Sequence, residues 1–298
     1  MVTKRKRYPG IRAFEEAEQQ LFFGRKREAR DLYSLVKAKS AVVLFAKSGI
    51  GKSSLLNAGL VPLLENNLYE PIKVRLQDVS ISPTENIKSA LAQYLDASKL
   101  EEHGKSDTTS ARLWEYIRSC NFPNLVDGEE IIPVIIFDQF EEFFDHDQEQ
   151  QDILLEELSD LLSDRLPERI QDQLRATPRR QRTKEQLAWH SPLLIKVIFA
   201  IRSDRLSLMD DMSNRIPTIL HNRFHLKPLQ SEQAKEAIVE PARIEDPDFE
   251  TPPFSYEAAT LRNILAHLSN KHGEIESFQL QLVCQHIEKK IKEKHGSN

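Results

Sequence analysis

Apolar residues recur along this chain in two alternating rhythms. Residues 41–45 (Ala-Val-Val-Leu-Phe), 131–137 and 193–201 are nearly continuous apolar runs, the form strands take when both faces of a parallel sheet are covered. Residues 71–76 and the short stretch 224–229 read as two further strands. Pro133 fits only near the start of its strand, because it has no N–H to give the ladder. Between these runs the spacing changes to that of one helix face. Ala29, Leu32, Leu35 and Val36 show it, as do Ile153, Leu154, Leu158, Leu161 and Leu162 within a helix expected over 149–166. Weaker helical patterns cover 85–95 and 108–120, the second broken by Asn121-Phe122-Pro123-Asn124. Strands alternating with helices predict an α/β fold with a doubly wound parallel sheet. After Leu229 the pattern is helical only, over 231–240, 256–271 and 277–292, with Ser231 as the expected N-cap and Pro241 as the stop of the first helix. The expected organisation is a domain over 1–229, followed by a small all-helical lid domain over 230–298.

Composition narrows the class without naming a function. The chain has 298 residues, 40% hydrophobic and 29% charged, as in an ordinary globular protein. A net charge of −5 gives no global basic field, so bulk electrostatics argue for neither nucleic acid nor an anionic membrane surface. Two cysteines, Cys120 and Cys284, make no disulfide framework and fit a reducing compartment. No window approaches the ~18 apolar residues of a membrane span, and no apolar signal segment follows Arg7, so a cytoplasmic location is expected. The basic runs Lys4-Arg5-Lys6-Arg7 and 175–184 read as solvated surface. His221 and His225 have zinc-like spacing but lack the glutamate of a zinc hydrolase.

The chemistry gathers after the strand at 41–45. Ala46-Lys47-Ser48-Gly49-Ile50-Gly51-Lys52-Ser53-Ser54 leads from that strand into a helix expected to reach about Leu64. Small residues let backbone N–H groups curl around oxyanions, and the following helix N-terminus favours negative charge at the same place. Lys52 is placed to reach the β- and γ-phosphates, and Ser53 to give its hydroxyl to Mg²⁺. The loop departs from the usual pattern by beginning with Ala46 rather than glycine. Asp138-Gln139-Phe140-Glu141-Glu142 follows the strand at 131–137, where carboxylates face the ligand crevice of an open sheet. Asp138 is the expected Mg²⁺ partner, and Glu141 or Glu142 the base that orients water for attack on the γ-phosphate. Arg202 ends the strand at 193–201, as a candidate to stabilise transition-state charge or as a surface partner of Asp204 or Asp211.

With these blocks in place, the chain resembles the bacterial STAND-class NTPases, a signal-transducing branch of P-loop ATPases related to AAA+ and NACHT proteins. Tyr8-Pro9-Gly10-Ile11-Arg12-Ala13-Phe14 with Leu21-Phe22-Phe23-Gly24-Arg25 is similar to the N-terminal signature of that family, which assigns residues 1–20 to a signature segment. The resemblance places Phe23, Gly24 and Arg25 by the adenine. Lys47, Ser48, Gly49, Ile50, Gly51, Lys52, Ser53 and Ser54 match its P-loop, and 138–142 match its Walker B block. Ala200-Ile201-Arg202-Ser203-Asp204 is similar to its sensor strand. Ala237-Ile238-Val239-Glu240-Pro241-Ala242 and Phe278-Gln279-Leu280-Gln281-Leu282 are similar to its lid, with Pro241 counted among the nucleotide-binding residues. Within the Walker B block, the resemblance favours Glu141 over Glu142 as base.

The resemblance implies ATP and ADP as ligands, Mg²⁺ as cofactor and slow turnover. Gln139, where fast ATPases often carry glutamate, fits the slow rate. It also implies a switch that self-associates or engages an effector or sensor protein when ATP-bound, in defence or stress signalling. The effector domain and sensor repeats usual in the family are not recognisable here, which leaves a core fragment or separate partner chains as the expectation. The competing readings are a motor-type AAA+ ATPase acting on protein or DNA, and a nucleotide-stabilised scaffold without turnover.

Overall fold

A computed structural model describes residues 4–96, 111–122, 131–189, 191, 193–217 and 219–295. Among these residues five strands form a parallel sheet in the order β2-β3-β4-β1-β5: β1 (Ala41–Ala46), β2 (Tyr69–Val74), β3 (Ile132–Asp138), β4 (Lys196–Arg202) and β5 (Arg223–His225). The β2–β3 register pairs Tyr69 with Ile132 and Val74 with Phe137; β3–β4 pairs Val134 with Lys196 and Asp138 with Ala200. Five consecutive buried positions in β3 and five in β4 explain why these runs do not alternate with polar residues. Phe137 stacks on Phe199 at 5.5 Å, and Phe140 meets Phe199 edge-on at 4.8 Å.

Among the described residues the α-helices are α1 (Lys26–Ala38), α2 (Lys52–Ser54), α3 (Val61–Glu65), α4 (Pro83–Leu91), α5 (Leu113–Arg118), α6 (Gln148–Leu162), α7 (Glu168–Ala176), α8 (Lys184–Ala188), α9 (Ser231–Arg243), α10 (Ala258–Leu268) and α11 (Ser277–His295). Among the described residues no helix is long and apolar enough to cross a membrane.

Several boundaries differ from the sequence pattern for identifiable reasons. The apolar run at 193–201 joins the sheet only from Lys196; Leu194 is exposed and Ile195 is buried without belonging to the strand. The expected P-loop helix is not uniform, because Leu55–Leu60 between α2 and α3 is a π-helical stretch. Gly59 lies inside it, where an added Cβ would stand 3.1–3.3 Å from Phe22, Leu55 and Ala29, so close packing explains a glycine within a helix. The expected helix over 108–120 is α5 alone among the described residues, and Thr108, Pro123 and Asn124 lie outside them. Ser231 is the first residue of α9 rather than its cap; Gln230 caps the helix through a reciprocal bond with Gln233. Pro241 does not stop α9, which runs on to Arg243.

The chain packs as two compact units. One comprises Leu35–Leu44 and Leu64–Phe224, and therefore most of the sheet. In it α6 buries Leu154, Leu158 and Leu161, and Arg169 of α7 joins buried Glu115 at 2.8 Å and Asp160 at 2.6 Å. The other comprises the chain up to Ser34, Phe45–Leu63 and the chain from His225. Its core joins Tyr8 to Leu229, Ala234, Ala237, Ile238, Ile275, Leu280 and Cys284, so the N-terminal segment is part of the helical core. Burial pushes the Cys284 thiol up to about 12.

Arg7 is wholly buried in this second core. Its guanidinium donates to the carbonyls of Pro241 (2.9 Å), Ile244 (2.7 Å) and Thr251 (2.9 Å) and to the Thr251 hydroxyl (3.2 Å). The Arg7 N–H donates at 2.8 Å to the buried Glu288 carboxylate. A buried cation is tolerated here because nearly every donor is satisfied.

Arg7→Ala is expected to lower unfolding free energy by about 3 kcal/mol, since it strands three carbonyl acceptors; urea denaturation showing a loss below about 0.5 kcal/mol would contradict this account. Two glycines give a paired test. Gly24 and Gly273 both have left-handed φ, +80° and +74°, but a Cβ at Gly24 would lie 2.3 Å from the Gln233 carbonyl oxygen, whereas one at Gly273 meets nothing within 4 Å. Gly273→Ala should cost about 1 kcal/mol through backbone strain alone. Gly24→Ala should cost more than about 3 kcal/mol, and equal losses in thermal unfolding would refute the steric argument.

Candidate functional site

The loop between β1 and α2 is shaped by two glycines and held from outside. Gly49 has φ +78° and Gly51 φ +100°, which other residues adopt only with strain. The Gly49 carbonyl accepts the backbone N–H of Phe278 at 3.2 Å, and the Ile50 carbonyl accepts the Ser277 hydroxyl at 2.9 Å and Arg25 Nη2 at 3.2 Å. In a trans peptide the N–H points opposite to the preceding carbonyl. Fixing these two carbonyls therefore turns the N–H groups of Ile50 and Gly51 to the opposite side, as an oxyanion cradle requires. A Cβ on Gly49 would stand 3.1 Å from the Phe278 ring.

Arg25 is buried and keeps its charge beside Glu28, at 3.1 Å, while burial pulls its pKa down. Glu28 in turn accepts from Gln233 at 2.6 Å. Arg25 thus reaches the P-loop through the outward carbonyl of Ile50. Gly24 packs on the Gln233 carbonyl, and Phe23 is half-buried with the Lys26 ammonium 5.3 Å from its ring centroid. Lys52 Nζ donates to the Ala46 carbonyl at 3.3 Å, folded back toward the start of the loop. Ser53 is half-buried in the first turn of α2, and the Ser54 hydroxyl accepts the Phe14 N–H at 3.2 Å. Lys47 and Ser48 are exposed. Pro241 is buried within α9, its carbonyl engaged by Arg7.

The acidic block forms a second cluster within the sheet-bearing unit. Asp138 ends β3, and Gln139 follows with φ +58° and ψ +49°, the one non-glycine residue with positive φ among those described. That kink starts the 3-10 stretch Phe140–Asp145, anchored by buried Phe140 and Phe143. Arg75, directly after β2, lies 3.3 Å from Asp138 and 3.8 Å from Glu142, and donates to the Gln139 side-chain oxygen. Burial raises the Glu142 pKa, opposed by the Arg75 charge and a hydrogen bond from the Leu76 backbone. Glu141 Oε2 accepts the Arg202 backbone N–H at 3.3 Å. The Arg202 side chain turns to Asp204, at 3.1 and 2.8 Å, which is the surface pairing the sequence left open.

Asp138 Oδ1, Glu142 Oε2 and the Ser203 hydroxyl are buried and have no hydrogen-bond partner among the described residues. Buried carboxylate oxygens without donors are costly, and a hydrated divalent cation, which takes hard oxygen ligands, would satisfy them. The hard carboxylate oxygens of Asp138 and Glu142, both within reach of Arg75, are therefore of the type that suits Mg²⁺. Sequence reasoning missed Arg75 and Ser203. Both follow a strand that ends beside acidic residues, but Arg75 reads as one more strand residue until β2 is seen to end at Val74. His225 stacks on Phe45 at 4.6 Å, and among the described residues no group of three or more His, Cys, Asp or Glu side chains is placed to hold a metal ion. Within the basic stretch, Arg175 pairs with Asp172 at 2.9 Å and Arg182 turns to the carbonyls of Leu174 and Thr177.

The sequence pattern of the family described as Novel STAND NTPase 1 matches residues 8–275. No curated protein matches the chain by sequence. Among solved structures, the fold is similar to a Walker-type ATPase of Pyrococcus abyssi, at 14% identity and TM-score 0.52, over 95% of this chain and 73% of that one. It is also similar to the Orc1 protein of Aeropyrum pernix, solved in complex with DNA, at 14% identity and TM-score 0.49, over 92% of this chain and 61% of that one. This chain thus spans about three fifths of the length of Orc1. At such identity the likeness shows the fold, that of P-loop ATPases. The family match extends from the Tyr8 segment through the P-loop and acidic block into the helices after Leu229, and on that basis the chain belongs to the Novel STAND NTPase 1 family of nucleotide-binding NTPases.

Proposed function

We propose that this chain is an ATP-binding, slowly hydrolysing switch that changes its association with itself or with an effector protein according to the nucleotide bound. The observation that carries the reading is the P-loop whose Gly49 and Ile50 carbonyls are fixed outward, leaving the Ile50 and Gly51 N–H groups for phosphate. In this reading Lys52 leaves the Ala46 carbonyl to meet the β- and γ-phosphates. Ser53 and Asp138 hold Mg²⁺, which supplies charge neutralisation on the phosphates. Glu141 accepts the proton of the attacking water, Glu142 supports the acidic cluster, and Arg202 stabilises developing charge after release from Asp204.

Two features support slow, switch-like behaviour. Glu141 is engaged by the Arg202 N–H, and Gln139 stands in a left-handed conformation at the position where fast ATPases often carry glutamate. The first two residues of α11, Ser277 and Phe278, bond the same loop carbonyls that set the cradle. A change in the loop on γ-phosphate binding therefore reaches the last helix directly. Phe23, Gly24 and Arg25 shape the adenine side, with Arg25 acting through the Ile50 carbonyl, and Pro241 closes that side from α9.

Lys52→Ala is expected to abolish binding of a fluorescent ATP analogue. Glu141→Gln should retain binding while slowing turnover by about 10²- to 10³-fold, or 2.7–4 kcal/mol of barrier. An unaltered single-turnover rate in Glu141→Gln would remove that residue as the base, and normal binding in Lys52→Ala would sink the P-loop assignment.

A further inference from the structure

We propose that Arg75 is a displaceable counter-ion for the Asp138–Glu142 carboxylate pair, competing with the divalent cation for Asp138. This inference rests on assigning Asp138 to the metal. The guanidinium lies between the two carboxylates at 3.3 and 3.8 Å. Charge-assisted hydrogen bonds run at about 2.7–2.9 Å, so these are loose contacts rather than a bidentate lock. The Arg75 side chain is 44% exposed, against 14% for Asp138 and 21% for Glu142, so the cation can swing into solvent while the carboxylates stay in place.

Charge balance points the same way. Asp138, Glu141 and Glu142 bring three negative charges to one short segment, and Arg75 supplies one positive charge to two of them. Asp138 Oδ1 and Glu142 Oε2 remain buried and unpartnered with Arg75 in place, so the guanidinium leaves their solvation incomplete. A divalent cation brings twice the charge and its own water donors. Arg75 also donates to the Gln139 side-chain oxygen, and Gln139 is the residue with left-handed backbone. Displacing Arg75 therefore releases the side chain at the kink that carries Glu141 and Glu142, and cation binding is coupled to the placement of the base.

The alternative is a purely structural ion pair, and the two differ in the sign of one measurement. Mn²⁺ serves as a spectroscopic stand-in for Mg²⁺, its free fraction read by electron paramagnetic resonance during titration of the whole chain, with and without saturating ADP. Arg75→Ala should bind Mn²⁺ about tenfold more tightly than the unaltered protein. Arg75→Lys, which keeps the charge without the fork, should fall between them, and covers the case in which the alanine variant does not fold. Asp138→Asn should lose the site in either background. Mn²⁺ affinity that is unchanged or weaker in both Arg75 variants overturns the counter-ion role. Binding of a fluorescent ADP analogue, followed by polarisation in Mg²⁺ and again in EDTA, separates the two readings: its absence in both overturns nucleotide binding, while the nucleotide-free titration still reads competition at Asp138.

Discussion

The structure depends on fixing two carbonyls, those of Gly49 and Ile50. A phosphate cradle is a set of backbone N–H groups pointing one way, and such a set is stable only if the matching carbonyls are satisfied on the other side. Here Arg25, Ser277 and the Phe278 N–H satisfy them. The groups come from the signature segment and from the last helix, far from the loop in sequence. That requirement accounts for the burial of Arg25 and for the close seat of Gly24 on α9. It also makes the N-terminal segment and the C-terminal helices one packing unit with the loop, although the sequence separates them by most of the sheet.

The acidic block shows the complementary principle. Where the loop has its Gly49 and Ile50 carbonyls satisfied, Asp138, Glu142 and Ser203 retain buried polar atoms without partners. Native structures satisfy nearly all such groups, so a local cluster of exceptions marks where a ligand is expected. The strained backbone of Gln139 lies in the same segment, and strain held by surrounding structure tends to gather at functional sites. Arg75 partly offsets the charge of this cluster and leaves Asp138 Oδ1 and Glu142 Oε2 without partners.

Much of this was legible in the sequence. Buried parallel strands give unbroken apolar runs, so the spacing carries the sheet and places the glycine-bearing loop directly after β1 and the acidic block at the end of β3. Strand ends were less legible, because burial and pairing are different things: Leu194 and Ile195 are apolar yet lie outside β4. Ser231 and Pro241 misled for a related reason. Glutamine can cap as Gln230 does, and a proline late in a helix removes one donor without ending the helix. Arg7 reads as one more charge in a basic tail, and only the fold shows four helical-core acceptors around it. Arg75 and Ser203 stand just past the ends of β2 and β4, positions that the apolar pattern alone does not mark.

The most direct test of the central claim is the backbone amide spectrum of the isotope-labelled protein on addition of ADP. The cradle predicts large downfield proton shifts for Ile50 and Gly51, whose N–H groups would take phosphate oxygens, with smaller changes at Ser277 and Phe278. Nucleotide-induced shifts confined to other regions, with Ile50 and Gly51 unmoved, would contradict the account.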